Sequence, residues 1–228
     1  MSLTCKQILD AVLSEQGLPV LDQYFGGDNL TLTAIMNRSV NLLGQRDYSL
    51  MRTAGTLTMT TATEYDLPSD LRYIIPDTFN AQDDERYVVF PTDDSTWWYF
   101  KSRSTQSGLR YKMRVAGGQL QVESPQSGMV LIYEYMTNNL VLSDGASVGD
   151  KERFTADNDT FLLDDDLLIM DVKWRYKKEL GTEDWQTDAQ DFARYEKTHR
   201  SKESGSGTLH FGETDHTEIA EPYTNLYV

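Results

Sequence analysis

Cysteine occurs once in the 228 residues, as Cys5, so an intrachain disulfide framework is excluded, and no CxxC pair or His/Cys cluster offers a zinc site. Histidine is nearly as scarce. His199, His210 and His216 all fall at or beyond the last helical pattern, and none stands near a Ser or Cys nucleophile in a recognisable motif. His210, Asp215 and His216 are the nearest approach to a ligand set, and only composition recommends them. No glycine loop of the phosphate-cradling or dinucleotide-binding kind is present; Gly205 and Gly207 belong to a Ser/Gly stretch rather than to a strand-to-helix turn. No apolar run approaches the roughly 18 residues of a membrane span, and the start lacks the basic and apolar regions of a secretory signal. The expectation is a chain without metal, cofactor or membrane, made in a cytoplasm-like compartment. Cations are the scarce charge: 21 Lys and Arg against 36 Asp and Glu leave a net charge of −15. That balance opposes general affinity for nucleic acid, while it suits a surface along which DNA must slide without being held.

What the chain does have is 39% hydrophobic and 25% charged residues, enough for one sizeable core or a core with a small second module. The most strongly patterned stretch is 161–200. Asp164, Asp165 and Asp166 supply an N-cap and first-turn negative charge, and Lys173, Arg175, Lys177 and Lys178 lie toward the end where the helix dipole favours cations. Leu163, Leu167, Met170 and Trp174 mark one helical face, with Val172, Tyr176 and Leu180 as a neighbouring stripe. Gly181 suits a C-terminal cap, and Asp184 opens a second helix whose inner face carries Trp185, Ala189, Phe192 and Glu196. At the other end of the chain, Thr4 with Gln7 makes a capping box and Leu3 with Ile8 a hydrophobic staple, predicting a helix that Gly17 and Pro19 end. Leu32, Ile35, Met36, Ser39 and Leu43 predict a second, ending near Gly44.

Between these helix pairs the period changes. Strands are predicted at 56–61, 65–67, 72–75, 86–90, 97–101, 109–115, 119–122 and 129–136, with Gly117-Gly118 as a hairpin turn and 125–128 as a longer turn joining another pair. The predicted fold class is α+β: a helical bundle formed by the N-terminal and C-terminal helix pairs, an inserted antiparallel β module, and an extended C-terminal tail. The corresponding segments are 1–52, 53–140, a Ser/Asp/Gly-rich connecting loop at 141–160, the helical hairpin at 161–200, and 201–228 as linker and tail. The tail has few apolar residues before Tyr223, Leu226, Tyr227 and Val228, and anchors on a tether are what a peptide needs to dock into another subunit.

One cluster carries recognisable surface chemistry. Trp97, Trp98, Tyr99 and Phe100 run into Lys101, Arg103, Arg110, Lys112 and Arg114 with no acidic residue across 96–115, pairing aromatics for stacking with cations for phosphate. The competing reading is a half-buried hairpin whose basic outer face meets an acidic neighbour, another copy of this chain or a tail component, and the overall charge favours it. Carboxylates such as Glu134 and Glu152 could be paired on paper into a glycosidase-like site, but an acidic chain meets that requirement by chance.

Taken in order, Arg46-Asp47-Tyr48-Ser49-Leu50-Met51, a threonine-rich strand, Tyr65-Asp66-Leu67-Pro68-Ser69-Asp70-Leu71, a β module and a helix opening with Leu167-Leu168-Ile169 resemble the head-to-tail adaptors of short-tailed bacteriophages, also called tail accessory or head-completion proteins. The resemblance covers most of the chain to about residue 200, and Tyr48 stands where such proteins commonly have tryptophan. It implies a structural virion protein at the head–tail junction, without enzymatic activity or cofactor. Such a protein forms a ring with itself, dodecameric in the family, beneath the portal protein, extends the DNA channel without sequence-specific DNA binding, and receives the tail nozzle or tube. It further implies that Ile219, Tyr223, Leu226, Tyr227 and Val228 reach the portal. The alternatives are a peptidoglycan-degrading tail protein and a nucleic-acid-binding module working through the aromatic and basic cluster.

Overall fold

The computed structural model describes residues 2–26, 30–82, 87–89, 93–102, 110–123, 125 and 127–204. In chain order its elements are α1 (Cys5–Ser14), α2 (Leu30–Gly44), β1 (Arg52–Thr58), β2 (Glu64–Asp66), β3 (Leu71–Ile74), β4 (Asn80–Gln82), β5 (Tyr87–Val89), α3 (Asp94–Ser102), β6 (Arg110–Ala116), β7 (Gln119–Glu123), β8 (Val130–Thr137), β9 (Val141–Leu142), β10 (Thr160–Phe161), α4 (Asp165–Leu180) and α5 (Trp185–Ser204). The chain is α+β.

The helices begin and end where their local chemistry allows. In α1 the Gln7 amide donates to the Thr4 hydroxyl at 3.3 Å and the Thr4 amide to the Gln7 side chain at 2.9 Å, closing the capping box. Asp164 caps α4 by accepting from the Asp166 amide at 2.9 Å, and Gly181 ends it in the left-handed region at φ 70°. The buried residues of α1 (Ile8, Leu9, Val12), α2 (Leu32, Met36, Val40, Leu43), α4 (Leu167, Leu168, Val172) and α5 (Phe192) share one core with Met136, Phe154 and Phe161. Burial of α4 is wider and shorter than the predicted stripes. It takes in Leu168, Ile169 and Asp171 because α1, α2 and α5 all pack on this helix, while Met170 and Trp174 are half-buried and Leu180 is exposed. The last helix also continues through Ser204, into the Ser-Lys-Glu-Ser sequence predicted to be linker.

The stretch predicted as a bare connecting loop is tied into this core. β9 and β10 form a two-stranded antiparallel ribbon, Phe154 is buried, and the Asp159 side chain accepts from Lys151 Nζ (2.7 Å) and the amides of Thr155 (2.8 Å) and Ala156 (2.9 Å). The carbonyls of Asp159 and Asp157 then accept from the first amides of α1, Cys5 at 2.7 Å and Lys6 at 3.0 Å. A polar, Gly-containing sequence thus supplies the acceptors that a helix start requires.

The β segment consists of two four-stranded sheets enclosing a second core of Met59, Tyr65, Phe79, Met113, Leu120, Val122, Leu131, Tyr133 and Tyr135. In the first, β1 pairs along one edge of β8, while β3 and β4 share its other edge. The second runs β2-β7-β6-β5. β8 joins the two cores, since Leu131, Tyr133 and Tyr135 face the sheet core and Met136, on the opposite face, belongs to the helical one. Three expectations are corrected here. Residues 97–101 are helical, not a strand. The module is not wholly antiparallel, because β5 runs parallel to β6. The turn at 125–128 does not join a strand pair, because β7 and β8 lie in different sheets. The Gly117-Gly118 turn does connect an antiparallel pair, with both residues at positive φ (62° and 77°). No helix among the described residues is long and apolar enough to cross a membrane.

Candidate functional site

The aromatic and basic cluster is built by α3 lying over the outer face of the β6–β7 pair. Asp93 starts α3: its carboxylate accepts from the Thr96 amide at 2.8 Å and the Ser95 hydroxyl at 2.6 Å, and these bonds hold the Asp93 carboxyl well below its usual range. This cap turns a β-rich sequence, Thr-Trp-Trp-Tyr-Phe, into a helix. Trp97 then points inward and is buried, while Trp98 and Tyr99 stay exposed. The Arg114 guanidinium sits 4.8 Å from the Trp97 ring centroid and 5.7 Å from that of Trp98, and Lys101 Nζ is 5.7 Å from Trp97.

Two of the cluster's cations, Arg114 and Lys112, are answered within the chain. Arg114 donates to Asp94 (2.6 Å) and to Gln121 (2.9 Å), and Gln121 in turn donates to Glu64 (2.9 Å). Lys112 pairs with Glu123 across the hairpin at 3.3 Å. Trp97 and Arg114 therefore pin α3 to its sheet and Lys112 ties β6 to β7, leaving Trp98 and Lys101 as the outward residues of the predicted surface. Arg110 is the first residue of β6, with its side chain outside what is described, and Arg103 lies outside the described residues. So do Ile219, Tyr223, Leu226, Tyr227 and Val228, and likewise His210, Asp215 and His216. Of the carboxylates considered for glycoside chemistry, Glu134 is paired with Arg52 at 3.0 Å. Among the described residues no three His, Cys, Asp or Glu side chains gather as a metal site.

A second constellation forms where the helices meet the sheets, and it is centred on Arg72, a residue to which the sequence assigned no role. Its guanidinium donates to the carbonyls of Gly44 (2.7 Å), Gln45 and Arg46 (3.2 Å), and approaches the Asp47 carboxylate at 3.4 Å. A cation placed on the last carbonyls of α2 answers both their unpaired acceptors and the negative end of the helix. The flanking residues are anchored on either side. Asp70 accepts from Thr137 Oγ1 (2.7 Å) and Tyr135 Oη (3.2 Å) of β8. Arg46 forms an ion pair with Glu196 of α5, and Tyr48, itself buried, donates to the same carboxylate at 3.4 Å. Glu196 had a sequence signal, as the lone acid on the inner face of the last helix. Arg72 had none, because its partners are backbone carbonyls 26 and 28 positions away.

Arg46-Asp47 is thus tied through Arg72 to β3, the strand that follows the Tyr-x-Leu-Pro-x-Asp turn, while Asp70 at the end of that turn is tied to β8. Compared with known proteins, the chain matches no family model and has no match among curated proteins. The junction is made of carbonyls, the guanidiniums of Arg72 and Arg46 and the carboxylates of Asp47, Asp70 and the buried Glu196, bonds that hold two layers in register.

Proposed function

We propose that this chain is a structural, non-enzymatic virion protein of a short-tailed bacteriophage, a head-to-tail adaptor. In this reading it forms a ring beneath the portal protein, dodecameric as the resemblance implies, extends the DNA channel and gives the tail nozzle or tube its attachment. The observation behind the reading is that Arg72, two residues after the Tyr-x-Leu-Pro-x-Asp turn, bonds the Arg46 carbonyl and approaches Asp47 of the other signature, so the second helix is tied to the strand that follows the turn. The helices α1, α2, α4 and α5 form the body that packs in the ring, the sheets face tail components or neighbouring subunits, and 208–228 reaches the portal through Ile219, Tyr223, Leu226, Tyr227 and Val228. Many tethered anchors acting together bind by avidity without a large interface each. The net charge of −15 suits a passage for DNA.

The test is the mass of the purified chain by light scattering, alone and mixed with the portal protein of its phage. A multi-copy complex on the portal is the expected result. No association with portal, combined with lysis zones on peptidoglycan gels, would replace the adaptor with the cell-wall hydrolase.

A further inference from the structure

The helix α4 carries opposite charge on its two flanks. Where it meets the end of α1 and the face of α5, a recess of about 310 Å³ is walled by Glu15, Asp166, Asp188 and Asp191 against a single ammonium, Lys173. That ammonium is already held, 2.7 Å from Glu15 and 3.8 Å from Asp188. Asp166 has no ion pair among the described residues, and Asp191 reaches only Arg194, at 3.5 Å within its own helix. This flank is anionic and open.

On the other flank, beside α2, a recess of about 240 Å³ is lined by Arg38, Trp174, Arg175 and Lys178 against a single carboxylate, Glu179. Arg175 is bonded to the buried Asp171 at 2.8 Å and lies 4.3 Å from the Trp174 ring. Lys178 stands 5.9 Å from the Trp174 ring and 5.0 Å from that of Trp185, which is stacked on it. Among the described residues neither Arg38 nor Lys178 has a carboxylate partner, and the exposed Leu180 follows at the same helix end. Arg38 and Lys178 are thus cations paired with no described carboxylate in a chain with 36 acidic residues and 21 basic ones. Grouped around two tryptophans, they make a surface for a carboxylate-bearing partner.

We infer that the partner is a second copy of this chain, whose anionic α4 flank (Asp166, Asp191) docks against the cationic, tryptophan-lined flank (Arg38, Lys178) in a head-to-tail contact. Because the two surfaces differ and sit on opposite sides of one helix, each copy uses one and offers the other, and the contact propagates until it closes. Closure into a ring rather than a filament rests on the adaptor reading; the contact does not.

The experiment uses the full chain and two variants, Arg38→Glu/Lys178→Glu and Asp166→Lys/Asp191→Lys, all at exposed positions, with mass read by analytical ultracentrifugation. Circular dichroism confirms folding, and Lys178→Glu and Asp191→Lys alone replace any double variant that fails to fold. The wild type is expected to form species larger than a dimer at about 0.01 M ionic strength and to dissociate at about 1 M, where the Debye length falls from about 30 Å to about 3 Å. Each variant is expected to stay monomeric by itself, because its two flanks then bear like charge, while an equimolar mixture, in which every contact between unlike variants joins opposite charges, recovers species larger than a dimer. A wild type that stays monomeric with and without portal, or variants that associate like the wild type, would overturn the contact. If only the cationic-flank variant loses association, the docking carboxylates are elsewhere, with the acidic segment 205–228 as the alternative occupant, and the head-to-tail pairing is wrong. Portal capture scores the adaptor reading separately: self-association without capture removes that reading and leaves the contact standing.

Discussion

Arg72 and Asp159 each use a charged side chain to hold backbone groups, Arg72 the carbonyls at the end of α2 some 26 to 28 positions away and Asp159 the nearby amides of Thr155 and Ala156. Replacing Arg72 with Ala removes the donor from three carbonyls at the end of α2. The expected loss is about 1–3 kcal/mol, reduced to the extent that water reaches the freed acceptors. It would be read as a lower urea midpoint together with faster amide exchange in the last turn of α2 and in β3. Unchanged exchange in β3 would mean that Arg72 caps a helix without joining the layers. Asp159 responds to pH. Burial alone would raise its carboxyl, but the Lys151 ammonium and the amides of Thr155 and Ala156 outweigh that and hold it below the usual carboxylate range. A carboxyl lowered by folding adds stability above about pH 4, where the unfolded side chain is ionised, and loses it as pH falls through the lower folded value. Asp159→Asn is therefore expected to cost about 3 kcal/mol near neutral pH and to flatten the acid side of the melting-temperature profile. A variant whose acid limb matches the wild type would place the titrating group elsewhere.

At the scale of elements, what was legible was what local chemistry decides. The Thr4/Gln7 box, the Asp164 cap, the Gly181 stop and the Gly117-Gly118 turn each act within a few residues, and each lies where the sequence put it. Residues 97–101 were misread because Trp-Trp-Tyr-Phe has strong β preference, whereas Asp93 supplies a cap and Trp97 gains burial under Arg114 only as part of a helix. β9 and β10 escaped because two residues carry no alternation, and β4 because Asn-Ala-Gln has no β-branched or aromatic residue, unlike the equally short β5 with Tyr-Val-Val. The aromatic and basic cluster was visible as composition, but its cations were not visibly paired, since Asp94, Gln121 and Glu123 come to them through helix placement and strand register. The α4 cap offers a test at this scale. Asp164 also accepts from Tyr195 at 2.8 Å and faces His199 at 3.4 Å, so it joins the start of α4 to the far half of α5. Asp164→Ala is expected to cost about 1–2 kcal/mol, with increased exchange in α5 beyond Phe192 as well as in the first turn of α4. Loss confined to α4 would leave the residue as a cap alone.

At the scale of the molecule, the two cores are coupled through β8 and the Arg72 junction. Among the described residues the helical core runs to Phe192, with Glu196 buried beside it, and the sheet core includes Leu131, Tyr133 and Tyr135. If 208–228 is the portal anchor, its energy lies in association and not in folding. Deleting it is then expected to leave the melting temperature of the isolated chain unchanged while apparent affinity for portal falls by about 10²-fold or more, the scale on which multivalent tethering is lost. The two quantities come from one pair of samples, by thermal melting and by co-sedimentation with portal. A truncated chain that still co-sediments as the full chain does would move the portal contact onto the folded body. One that melts lower would place part of the segment in the fold and make its binding loss uninterpretable as anchoring until single substitutions at Tyr223 and Tyr227 repeat it.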